Sequence, residues 1–181
     1  MTAPIRSPLP RSPARFLSTF LLVAALGFAL ALSPWVIEQL LVPLAQALAS
    51  VAALAVQAAG GSAEAQSATI RHEGGFAVTV VTRCIGVEAM ILLGAGMVAF
   101  PARWHERCLG FTAGVLAIVT LNLLRIIGLY GVGPSLPALF EWGHLYSGDL
   151  FVMIPALVFF LLWIRWLPSR RRSSSSHAAA A

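Results

Sequence analysis

The chain has 181 residues, 59% hydrophobic and 10% charged, with a mean hydropathy of +0.85, a composition that excludes an ordinary water-soluble domain and marks an integral membrane protein. Its net charge is +5, with arginine as its only basic residue type apart from histidine. The arginines lie beside apolar runs, as topology-setting charges do, rather than interleaved with aromatics on one face, which argues against a nucleic-acid partner.

Residues 1–14 read as a disordered basic leader, with Arg6 and Arg11 among prolines and serines. Arg15 to Leu32 is apolar for about 18 residues, enough to span a bilayer, and Ser33-Pro34-Trp35 ends it. This first span is expected to start in the cytoplasm. Val36 to Ala59 is long enough to cross but carries Glu38, Gln39, Gln46, Ser50 and Gln57 within about one third of the helix circumference, with Ile37, Leu41, Leu44, Leu48 and Val51 opposite. It is expected to lie as an amphipathic helix at the outer interface or against the bundle. Were it to cross, the later arginine-rich loops would fall on the wrong side.

After the Gly60-Gly61-Ser62 break, Ser67 to Ile70 and Phe76 to Val81 flank Arg71-His72-Glu73-Gly74-Gly75 and read as an extracytoplasmic β-hairpin. Such a hairpin is marginal alone and needs the bundle or the membrane to rest on. Gly86 to Phe100 is the second span, and the Pro101–Arg107 loop, with Arg103 and Arg107, is cytoplasmic by its charge. Cys108 to Tyr130 returns outward, Gly131 to Trp142 is an outer loop, and Gly143 to Trp166 is the last span. Arg165, Arg170, Arg171 and Arg172 hold its end in the cytoplasm, and 168–181 reads as a disordered tail. The expected fold is an all-α integral membrane protein. It has a four-span bundle in one domain (15–167), an outer amphipathic helix and a small β-hairpin.

Three residues stand out against this background. Cys84 sits beside Arg83 where a strand-like segment meets an apolar helix, a setting that favours thiolate. Arg125 lies inside a span, where a guanidinium costs at least about 2.5 kcal/mol unless it faces a cavity or a partner. It either snorkels to the outer interface or points inward to stabilise an anion. His144 begins the last span, as an interfacial residue or as an acid/base, with Glu141, Tyr146 and Asp149 close in sequence.

The expected topology brings Cys84, Arg125 and His144 to one depth near the outer face. Cys with His is a nucleophile and base pair, and Arg125 suits a thiolate or an oxyanion. No metal or other cofactor is expected. His72 and His105 fall on opposite sides of the membrane, and Cys84 and Cys108, about 24 helical residues or roughly 36 Å apart, share neither a metal nor a disulfide.

From Cys84 onward the sequence resembles the exosortase and archaeosortase family. The resemblance is carried by Cys84-Ile85-Gly86-Val87-Glu88 at the head of one span, Leu121-Asn122-Leu123-Leu124-Arg125-Ile126 late in the next, and Gly143-His144 at the head of the last. Short length, Arg71-His72-Glu73-Gly74-Gly75-Phe76, Ala99-Phe100-Pro101 and Leu139-Phe140-Glu141-Trp142 look most like the exosortase H subgroup. The resemblance implies a transpeptidase of the bacterial inner membrane, its site on the extracytoplasmic side. Its substrates would be membrane-anchored proteins with a C-terminal sorting signal of motif, transmembrane helix and basic cluster, transferred to an acceptor, a glycan or lipid among the candidates. It also implies Cys84 as nucleophile, Arg125 as stabiliser of thiolate or oxyanion, and His144 as acid/base. Asn122, one turn before Arg125, is a supporting residue. The competing reading is a non-enzymatic or transporter-like membrane subunit in which Arg125 binds an anion.

Overall fold

The computed structural model describes residues 12–81, 85–133 and 148–178. Helix α1, Pro13–Ala31, starts where Ser12 Oγ accepts the Arg15 N–H at 3.3 Å and Pro13 takes a first-turn position that needs no N–H. Its apolar surface stays outside: Leu17, Leu21, Leu22, Leu26 and Leu30 are exposed. Leaving such side chains in water forgoes about 1.5–3 kcal/mol each, and a continuous apolar exterior of this kind suits lipid. α1 packs on α3 (Val87–Ala99), and between α1 and α5 (Gly148–Ala178) a groove of about 500 Å³ remains, walled by Phe16, Phe20, Met153 and Leu157 over Ala89 and Gly96.

Helix α2 runs Pro34–Ala58, with a π-turn at Ile37–Leu41 directly before Pro43. Proline removes a donor and crowds the preceding turn, and the widened turn, with Val42 N–H bonded to Ile37 O, absorbs both effects. Glu38, Gln39, Gln46, Ser50 and Gln57 are all exposed. The buried face differs from the expected one. Leu41 and Leu48 are buried, but Val51 is exposed and Ala45, Ala49, Ala52 and Ala53 take the inner positions, because small side chains let the backbone approach its neighbours. Among the described residues, three helices are long and apolar enough to cross a membrane: α1, α2 and α4 (Trp104–Val132). Val87–Ala99 and Phe151–Leu167 are shorter apolar helices.

Three strands follow α2: β1 (Glu64–Gln66), β2 (Thr69–Arg71) and β3 (Ala77–Thr79), antiparallel in that order. β2 and β3 pair Ile70 with Val78 across the turn at Gly74-Gly75, where Gly75 has φ +85°. β1 is a strand that the alternation pattern did not single out, joined to β2 through Ser67 at φ 55°. Ile70, Val78 and Val80 point into a core with α2, Ile126 and Tyr130.

Helix α4 begins a turn earlier than Cys108 because the Glu106 carboxylate accepts the Arg103 N–H at 2.9 Å. Its buried residues are Glu106, Gly110, Gly114, Ile118, Asn122, Ile126 and Tyr130, a row at a spacing of four that turns roughly 240° about the helix. The lower half meets α3 and α5. A Cβ on Gly110 would lie 2.2 Å from Trp163 Nε1, and one on Gly114 2.4 Å from Leu93. The upper half meets α2 and the sheet. Backbone in α5 is helical as far as Ala178, past Trp166.

The sheet is fastened to α4 by Tyr130, whose hydroxyl donates to Ser62 O and lies 3.2 Å from Arg71 O, so one proton is shared between two carbonyls. Phe76 packs on the same ring. Tyr130→Phe is expected to leave the helices in place and loosen the sheet by about 1 kcal/mol, read as faster amide exchange in β2 and β3 than in α3.

Candidate active site at the head of helix α3

Of the four residues singled out in the sequence, the structure describes two, Asn122 and Arg125. Cys84 and His144 lie outside the described residues, as do Arg83, Glu141 and Tyr146. Their described sequence neighbours are Ile85, which follows Cys84, and the start of α5 at Gly148, four positions beyond His144.

Three helices converge on Ile85 and Gly86. Ile85 is fully buried, and its carbonyl accepts a 3.0 Å hydrogen bond from Asn122 Nδ2 across 37 residues of sequence. Asn122 is 1% exposed. Its amide must stand this way round, because the reverse would set Oδ1 against the carbonyl oxygen. Gly86 has φ +80°, a left-handed conformation that lets the chain enter α3. A Cβ there would fall 2.2 Å from Asn122 Nδ2 and 2.9 Å from the Ile118 side chain, with Val152 of α5 at 3.4 Å. Glycine is thus required twice, by its backbone angle and by the closeness of α4.

Two polar atoms at this level are buried with no hydrogen-bond partner among the described residues: Asn122 Oδ1 and Arg125 Nε. Arg125 is partly buried, one turn beyond Asn122 on the same side of α4. A buried polar atom left unmet costs about 1–3 kcal/mol or more, so Asn122 Oδ1 and Arg125 Nε both call for a polar partner. Among the described residues no three His, Cys, Asp or Glu side chains converge as a metal would require. Cys108 is a free, exposed thiol on the first turns of α4, at the opposite end of the helix from Arg125.

Sequence reasoning gave no role to Gly86 or to Tyr130. A signal for both was present. Gly86 stands between the cysteine and an apolar helix, and Tyr130 continues the four-residue row through Ile118, Asn122 and Ile126. Glu106 at the other end of that row is 3% exposed, and its carbonyl accepts from Trp163 Nε1 at 3.1 Å. This polar cluster lies at the start of α4, well away from Arg125.

A family profile described as transmembrane exosortase matches residues 11–162 of the 181. No curated protein and no solved structure matches the chain. The matched stretch runs from before α1 well into α5 and includes Ile85, Gly86, Asn122 and Arg125. The chain is therefore a multi-pass helical membrane protein with a membrane transpeptidase-type role in general, and it belongs to the transmembrane exosortase family.

Proposed function

We propose that the chain is a cysteine transpeptidase that processes C-terminal sorting signals of membrane-anchored exported proteins, with Cys84 as nucleophile, Arg125 as its electrostatic partner and His144 as acid/base. The observation that carries this reading is the Asn122 to Ile85 hydrogen bond. It ties the residue after Cys84 to the helical turn before Arg125, two segments that have no local reason to meet.

In the chemistry proposed, the Cys84 thiolate attacks the carbonyl carbon of the scissile peptide bond and the developing oxyanion is stabilised by Arg125. Collapse breaks the C–N bond as His144 protonates the leaving amine, which departs with the transmembrane helix of the substrate and leaves a thioester. An acceptor amine or hydroxyl then attacks the thioester, gives up its proton to His144, and regenerates the thiolate. Transfer in preference to hydrolysis asks for a site with little water.

The proposed topology has α1, α3, α4 and α5 crossing, both termini in the cytoplasm of a bacterial inner membrane, and α2 with the sheet on the outer side. Exposed Glu38, Gln39, Gln46, Ser50 and Gln57 on α2 support an interfacial position for it. Trp35 and Trp104 are 71% and 74% exposed and stand where opposite interfaces are expected. Depth is supported by helix length. α3 has 13 residues, about 20 Å against a hydrocarbon core of about 30 Å. With its Phe100 end at the inner boundary, its head is recessed by about 10 Å. Arg125 precedes the end of α4 at Val132 by seven residues, about 10 Å, in a helix of 29 residues, about 43 Å, that overruns the core.

Two predictions test the assignment. Cys84→Ala should insert and fold but abolish processing of a membrane-anchored reporter carrying such a signal, detected as loss of the cleaved product on a blot. Full processing would refute the cysteine mechanism and favour the non-enzymatic subunit. Arg125→Gln should reduce processing by about 10²–10³-fold, the usual effect of removing one oxyanion donor, measured as initial rate with the level of inserted protein held equal.

A further inference from the structure

Asn122 contributes more than burial to this site. It is an asparagine almost without solvent contact in an apolar helix, a position where leucine would pack without the desolvation of an amide. One half of the amide is used, by Nδ2 on Ile85 O, and the other half, Oδ1, is left without a partner among the described residues. The bond also falls at the entry to α3: Ile85 precedes the helix, and Gly86 turns through the left-handed region. Ile85 stands outside α3, and Asn122 holds its carbonyl from another helix.

Resting on the thiol site proposed above, we propose that Asn122 is a positioning residue. It clamps the Ile85 peptide so that the preceding residue, Cys84, is presented to Arg125, and Gly86 is the glycine that makes room for the clamp. The clamp acts through geometry, and Asn122 itself touches no reacting atom. Arg125 can favour a thiolate only if the thiol is held near it, because the interaction of two charges falls with distance and is screened once water intervenes. Loss of the clamp therefore uncouples Cys84 from Arg125 without removing either.

That uncoupling is measurable on the full chain without any substrate, using iodoacetamide as the probe. Cys108→Ser, at the far end of α4, leaves Cys84 as the one cysteine. The alkylation rate of Cys84 is then followed against pH in this background, in Arg125→Gln, in Asn122→Leu and in the double variant. With Asn122 intact, Arg125→Gln should move the pH of half-maximal alkylation up by about one unit, a tenfold slower reaction at neutral pH. Asn122→Leu should produce a similar upward shift alone, and adding Arg125→Gln to it should change little more, the signature of two residues acting as one unit.

Asn122→Ser, which leaves space for a water to bridge to the carbonyl, should give a smaller shift and serves if the leucine variant does not fold. Tryptophan fluorescence melts report folding for each variant. A full Arg125 effect persisting beside Asn122→Leu, or beside Asn122→Ser where that variant is used, overturns the clamp and leaves the thiol site standing. Absence of an Arg125 effect with Asn122 intact overturns the thiol site, and the clamp with it.

Discussion

Helix α4 changes neighbours halfway along its length, and most of the bundle is arranged by that change. In lipid the hydrophobic effect supplies little attraction between helices, so close packing and hydrogen bonds must supply it. The four-residue row from Glu106 to Tyr130 drifts around the helix, which brings its lower half against α3 and α5 and its upper half against α2 and the sheet. Glycine at Gly110 and Gly114 lets Trp163, Leu93 and Phe159 approach the α4 backbone. Ile126 and Tyr130, four residues apart, do the equivalent for Ile70, Val78 and Ile85 above.

Along this row three side-chain to carbonyl hydrogen bonds join α4 to three different neighbours. Trp163 Nε1 donates to Glu106 O near the start of α4, Asn122 Nδ2 to Ile85 O farther along, and Tyr130 Oη, near the end, to Ser62 O and Arg71 O. Each uses a carbonyl that its own segment leaves free or able to accept a second bond. Each is also directional, which dispersion is not, so together they fix the rotation and height of α4 against α5, the head of α3 and the sheet. The middle one differs from the others in leaving a buried acceptor without a partner among the described residues. It stands where the two hydrophobic clusters meet, Ile85 and Ile126 belonging to one and Ile118 and Val152 to the other.

Sequence patterns conveyed the helices well where the signal was an apolar run with a cap or a proline at its ends, as for α1 and α3. They conveyed less where the buried face was made of alanine. On α2 large apolar residues were expected inside, yet alanines hold the contact and Val51 faces out, because hydrophobicity ranks size and lipid-side packing rewards its absence. β1 was missed since three residues, Glu64, Ala65 and Gln66, carry almost no alternation. At the site, Arg125 was legible from its cost in an apolar helix. The partner of Asn122 was not, because a bond across 37 residues depends on how two helices pack. Only the glycine at Gly86 hinted at a close approach.

Recession of the head of α3 bears on what the proposed site can do. If α3 crosses as proposed, its 13 residues, about 20 Å, start about 10 Å short of a core of about 30 Å, and the proposed site would stand in that recess. In such a recess a guanidinium and a thiolate would attract each other far more strongly than at the surface, where water screens them, and an unpaired Arg125 would be correspondingly costly. The same burial would keep water sparse around the proposed thioester and give a bound acceptor time to react first. A thiol set at the interface would be easier to reach and easier to hydrolyse. The left-handed turn at Gly86 and the amide of Asn122 hold the two residues from which α3 begins.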